Sequence, residues 1–82
     1  MTDFGIAVRE ARLRLNLSLR ALAKMVGVTA SYLSRIENGI CPPPSPEVVK
    51  ELSESLDEDY DRLLLLASKI DPEIQKKVSE ML

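Results

Sequence analysis

The chain has 82 residues, enough for one small domain and too few for a separate sensing or catalytic unit beside it. Its 45% apolar and 29% charged residues suit a folded globular chain, and the absence of His with a single Cys removes imidazole chemistry, internal disulfides and most zinc sites. The net charge of −2 hides an asymmetry, with six basic against three acidic side chains in residues 1–40 and five against ten in residues 41–82, which points to polyanion contact on one side only.

Turn and cap residues divide the chain into short helices. Thr2 is placed to cap a first helix with Phe4, Val8, Ala11 and Leu15 recurring on one face. Ser18 caps a second, which carries Leu19, Leu22, Ala23 and Val26 and stops at Gly27. Thr29 caps a third, whose buried side holds Leu33 and Ile36 together with Thr29, and which ends at Asn38-Gly39. The run ICPPPSP (40–46) must be extended, because each proline disfavours helix in the residue before it. Ser45 then caps a fourth helix with Pro46 at its first position and Val48, Val49, Leu52 and Leu56 as its apolar stripe. Asp57 opens a fifth helix through LLLLAS, and Asp71-Pro72-Glu73 opens a sixth, EIQKKVSEML. No stretch has the period-two alternation of a strand. The expected architecture is all-α, a compact bundle of five to six helices forming one domain over 1–82, with its core in 2–56 and further helices in 57–82.

The window 19–38, LRALAKMVGVTASYLSRIEN, is the most informative. Two short helices joined only by Gly27-Val28-Thr29 cannot run antiparallel and must cross steeply, which is a helix-turn-helix. Ala23 is small where the crossing is closest, Gly27 suits the positive φ of the reversal, and Val28, Leu33 and Ile36 return apolar contacts to the second helix. With FGxxVREARxxLNLSLRALA at 4–23, MVGVTASYLSRIENG at 25–39 and the helix PEVVKELSESL after the proline loop, the chain resembles the Cro/CI-type, or XRE-type, helix-turn-helix domain of lambdoid phage repressors. The resemblance implies a lambda-repressor-like bundle whose third helix enters the major groove of double-stranded DNA.

Helix geometry identifies the outward face of that third helix. Opposite Leu33 and Ile36 lie Ser31, Ser34, Arg35 and Asn38, flanked by Ala30 and Tyr32. Arg35 offers a planar fork that matches guanine O6 and N7, Ser31 sits in the first turn nearest the groove floor, and Ala30 can touch a thymine methyl. Tyr32 and Ser34 are within reach of a base edge or the backbone. Family positions that hold phosphate correspond to Ser18, Leu19, Arg20 and Asn38, and where relatives commonly have Gln, Leu19 cannot donate, leaving Arg20 and Lys24 to compensate. The loop 40–46 is uncharged where strong phage repressors are usually basic. Relatives also join an Arg on the first helix to a Glu on the third, and Arg12 with Glu37 stand at those places as a structural ion pair rather than a base contact.

Other constellations are weak. Asp57, Glu58, Asp59 and Asp61 include the D-x-D-x-D opening of a calcium loop, but Arg62 and Ser68 occupy the positions that need Gly and Glu, so no metal is expected. Cys41 has no adjacent base to activate it. No cofactor, catalytic residue, small-molecule substrate or membrane partner is expected. The apolar residues Leu63 to Leu66, Ile70, Ile74, Val78, Met81 and Leu82 exceed what a small bundle can hide, which points to a homodimer, the alternative being that they close the bundle's own core.

The sequence therefore reads as a sequence-specific transcriptional regulator, repressor-like, cytoplasmic and of prokaryotic or phage origin, binding a palindromic operator as a dimer. Two alternatives stay open. One is a protein-interaction or antitoxin-type adaptor on the same fold, favoured by the acidic pI, the uncharged loop and Leu19. The other is the DNA-binding piece of a longer regulator.

Overall fold

The computed structural model describes residues 2–68. Over these it contains five helices and no strand: α1 (Asp3–Arg14), α2 (Leu19–Val26), α3 (Ala30–Glu37), α4 (Pro46–Leu56) and α5 (Tyr60–Ser68). The sixth helix expected at 71–82, and with it Ile70, Ile74, Val78, Met81 and Leu82, lies outside the described residues.

Local chemistry sets each boundary. Thr2, Ser18 and Thr29 adopt extended backbone and accept hydrogen bonds from the amides of Gly5 (3.0 Å), Ala21 (3.0 Å) and Tyr32 (3.1 Å), so three helices begin on side-chain caps. Ser45 occupies the same position before α4 but makes no side-chain cap bond, and Pro46 at the first helical position supplies the pre-set φ instead. Helix exits use the left-handed region four times, at Asn16 (φ 55), Gly27 (φ 81), Gly39 (φ 72) and Asp57 (φ 55). Asn and Asp tolerate this region better than other side chains, because a short polar group can bond locally there. Asp57 thus terminates α4 instead of opening α5, which begins three residues later behind Asp59, whose carboxylate accepts from the Asp61 amide at 2.9 Å.

The core is one cluster drawn from all five helices: Phe4, Val8 and Ala11 from α1, Leu22 and Ala23 from α2, Leu33 and Ile36 from α3, Val49, Leu52 and Leu56 from α4, and Leu63 from α5. Two expectations need correction. Leu15 is 46% exposed, because α1 ends at Arg14 and the chain turns away before the apolar face can include it. Thr29 is exposed as a cap, so the buried side of α3 consists of Leu33 and Ile36, with Glu37 at its end. Of the four leucines in α5, Leu63 closes the bundle's own core, Leu64 and Leu66 lean on it, and Leu65 stays 63% exposed.

Gly5 has a role that the sequence did not reveal. A Cβ built there would lie 2.5 Å from the Glu37 carbonyl oxygen and 2.7 Å from that of Ile36, so α1 crosses the end of α3 at a distance only glycine permits. Ser53 is likewise buried on α4, its hydroxyl donating to the Lys50 carbonyl at 2.7 Å.

Candidate nucleic-acid interface

The two helices of the motif are held by small, close contacts. Gly27 reverses the chain after α2, and the amides of both Gly27 (2.9 Å) and Val28 (3.0 Å) donate to the Ala23 carbonyl, which fixes the turn before Thr29 starts α3. Leu33 and Ile36 are buried against α1 and α2, and their burial presents the opposite side of α3 outward.

On that side Ser31, Arg35 and Asn38 are exposed, while Ser34 is half-buried. The Arg35 guanidinium makes no hydrogen bond or ion pair among the described residues, so its whole fork is available to a ligand. Ala30 and Tyr32 are also half-buried, packed against the core at the margin of the face rather than standing clear of it. Asn38 is partly committed: its amide nitrogen donates to the Ser34 carbonyl at 2.8 Å and lies 3.4 Å from the Ser34 hydroxyl. The longer of these is a weak bond that a phosphate oxygen would displace at little cost.

The start of α2 offers the second set. Ser18 spends its hydroxyl on the Ala21 amide, while the Leu19 and Arg20 amides at the helix start have no partner among the described residues. Free N–H groups at a helix start, with the positive end of the helix dipole behind them, suit an anionic oxygen. Arg20 and Lys24 are exposed on the same helix with no ion pair among the described residues.

Arg12 connects the two sets. Its Nε and Nη2 donate to the Glu37 carboxylate at 2.8 and 3.1 Å, a bidentate pair buried between α1 and the end of α3. Its third nitrogen, Nη1, donates to the Leu17 carbonyl at 2.8 Å, and the Leu17 amide returns a bond to the Arg12 carbonyl at 3.0 Å. One side chain therefore ties the end of α3 to the residue immediately before Ser18. No buried side-chain nitrogen or oxygen among the described residues lacks a hydrogen bond.

The arrangement matches a known family model, helix-turn-helix, over residues 8–63. The chain belongs to the helix-turn-helix family, in its Cro/CI-type branch. Among curated proteins this helix-turn-helix chain is 38% identical, over 71 residues, to the HTH-type transcriptional repressor RghR of Bacillus subtilis, covering 87% of the chain and 53% of that protein. The chain spans between half and three-fifths of the length of the curated relatives it matches. Among solved structures it is similar to SinR, the master regulator for biofilm formation, in complex with DNA, at TM-score 0.69 and 34% identity over 74% of this chain and 97% of that one. It is also similar to a SinR/SinI protein complex, at TM-score 0.70 and 32% identity over 95% of this chain and 77% of that one. The family and these relatives are transcription regulators, a non-enzymatic class. No described helix is long and apolar enough to cross a membrane, and no described group of three or more His, Cys, Asp or Glu residues is arranged to hold a metal ion.

The acidic run 57–61 has a structural use at Glu58. Glu58 pairs with Arg14 of α1 and, at 3.5 Å, with Arg62 of α5, fastening the last described helix to the first. Gly5, the Arg12–Leu17 bond and the exposed Ile40 were not found by sequence reasoning. The one local signal was the glycine itself, two residues inside a helix start, where alanine would otherwise be preferred.

Proposed function

We propose that this helix-turn-helix chain is a sequence-specific double-stranded DNA-binding regulator of transcription, acting as a repressor in a bacterial cytoplasm. The observation that carries the reading is the outward face of α3, where Arg35 stands unpaired beside exposed Ser31, directly opposite the buried Leu33 and Ile36. In this reading Ala30, Ser31, Tyr32, Ser34 and Arg35 meet base edges in the major groove, with Arg35 bidentate to guanine. Ser18, Arg20, Lys24 and Asn38, with the free amides at the start of α2, hold phosphates that set the register. Arg12 and Glu37 keep the two sets at a constant separation. Similarity to a SinR complex with DNA supports the same mode of docking.

Only Arg20 and Lys24 add full charges to the phosphate contacts, too few for firm binding by one copy. A homodimer on half-sites about 34 Å apart doubles them and gives a salt slope of about −4. Exposed Leu65, followed in sequence by Ile70, Ile74, Val78, Met81 and Leu82, supports residues 57–82 as the dimer element. Such a dimer turns the acidic half away from DNA.

Similarity over 95% of the chain to a SinR/SinI protein complex favours a second partner class, a regulatory protein that binds the same chain. The test is selection from random duplex DNA at two salt concentrations. Enrichment of a palindrome with half-sites one helical turn apart supports the dimeric regulator. Salt-sensitive binding with no enriched sequence, or no binding at low salt, refutes sequence-specific recognition and leaves protein partnership as the principal role.

A further inference from the structure

The segment that follows the recognition helix has an unusual deficit. From Ile40 to Pro46 it carries no charged side chain, and four of its seven residues are prolines, which have no backbone N–H. The amides that precede them are already spent: Gly39 donates to the Ile36 carbonyl at 3.1 Å, and Ile40 and Cys41 both donate to the Arg35 carbonyl, at 2.9 and 3.4 Å. Ser45, at the far end, supplies the one hydroxyl. The part of this loop nearest α3 therefore has neither charge nor a free amide with which to hold a phosphate.

What it does present is a hydrocarbon. Ile40 is 73% exposed, the most exposed large apolar side chain among the described residues. The bond from its amide to the Arg35 carbonyl, with Gly39 at φ 72, forms the helix-ending turn in which the residue after the glycine lies alongside the residue five positions earlier. Ile40 thus sits beside Arg35, at the end of α3 remote from the first-turn residues that face the groove floor. In helix-turn-helix docking that end of the helix rises toward a DNA strand.

Resting on the reading of α3 as the recognition helix, we propose that Ile40 is a DNA contact of apolar kind, packing on the deoxyribose of the strand that borders the Arg35 contact. It takes the place of the charged backbone contacts that this loop cannot make. The neighbouring prolines hold the loop in one conformation before DNA arrives, so little ordering entropy is lost on contact. Because no ion is released, the contact contributes affinity without salt dependence.

The experiment measures affinity of the full 82-residue chain, as wild type, Ile40→Ala and Ile40→Lys, for its selected duplex across a salt series. The exposed position leaves thermal melting unchanged in both variants. Ile40→Ala is expected to bind about three- to tenfold more weakly with the same salt slope, from loss of three carbon atoms' burial. Ile40→Lys is expected to recover affinity at low salt and steepen the slope by about one for each subunit. Wild-type affinity in Ile40→Ala overturns the proposal. So does a loss that disappears on duplex with deoxyuridine in place of thymidine, since the contact is then a thymine methyl. If the wild type selects no sequence, the reading of α3 fails and this inference falls with it; if the wild type selects a sequence and only Ile40→Ala is silent, the inference alone fails.

Discussion

Replacing Glu37 by Ala tests the central joint of the molecule. The carboxylate is 3% exposed and accepts two bonds from Arg12, at 2.8 and 3.1 Å, so the substitution leaves a buried guanidinium with the Leu17 carbonyl as its remaining partner. Removing one member of a buried pair costs about 3–5 kcal/mol, mostly from the stranded charge. A domain of this size has a total stability of about 4–12 kcal/mol, so the loss is a large fraction of it. At about 4–8 °C per kcal/mol, melting followed by circular dichroism should fall by at least ~12 °C. The double replacement Arg12→Met with Glu37→Leu removes the charge together with its partner and should recover most of the loss. A melting temperature within about 4 °C of wild type for Glu37→Ala, a change of ~1 kcal/mol or less, would refute the claim that this pair secures α3. Equal damage in the single and double variants would instead place the cost in lost packing.

Further substitutions probe other parts. Gly5→Ala puts a Cβ 2.5 Å from a backbone oxygen that cannot rotate away, so α1 and α3 must separate; chemical denaturation should show a loss of about 1–3 kcal/mol, whereas an exposed helix site would gain from the same change. Leu63→Ala empties a fully buried position between α5 and the core and should cost about 2–5 kcal/mol, while Leu65→Ala on the exposed side should leave monomer stability within ~0.5 kcal/mol. Binding assays on a panel of operators should separate Arg35→Ala, which relaxes preference at one base pair by about 1–3 kcal/mol, from Arg20→Ala, which weakens all sequences evenly and lowers the salt slope. Identical profiles for these two variants would contradict the division into base-reading and phosphate-holding sets.

Much of this molecule follows from short-range chemistry, and that part was legible in the sequence. The caps Thr2, Ser18 and Thr29, the reversal at Gly27 and the recurrence of Leu22, Ala23, Leu33 and Ile36 each depend on residues within a turn or two of one another. Helix period and capping preference are local, so they specify the helices, the turn between α2 and α3 and the outward face of α3 without knowledge of the rest. The same reasoning erred where a local signal had two meanings. Asp57 has the composition of a helix start, yet it adopts φ 55 and ends α4, because an aspartate serves either end and the choice depends on where α5 must pack.

Relations between distant segments were decided by the tertiary structure. Gly5 is required by the carbonyls of Ile36 and Glu37, residues brought to it only when α1 lies across α3. Arg12 reaching the Leu17 carbonyl as well as Glu37, and Ile40 standing open beside Arg35, depend likewise on how chain ends meet after folding. Leu63 and Leu65 look alike in the run LLLLAS, and burial separates them because only one face of α5 packs on the core. A pattern of residue types states which side of a helix is apolar; the excluded volume and hydrogen-bond reach of the other helices select the partner that each side chain meets.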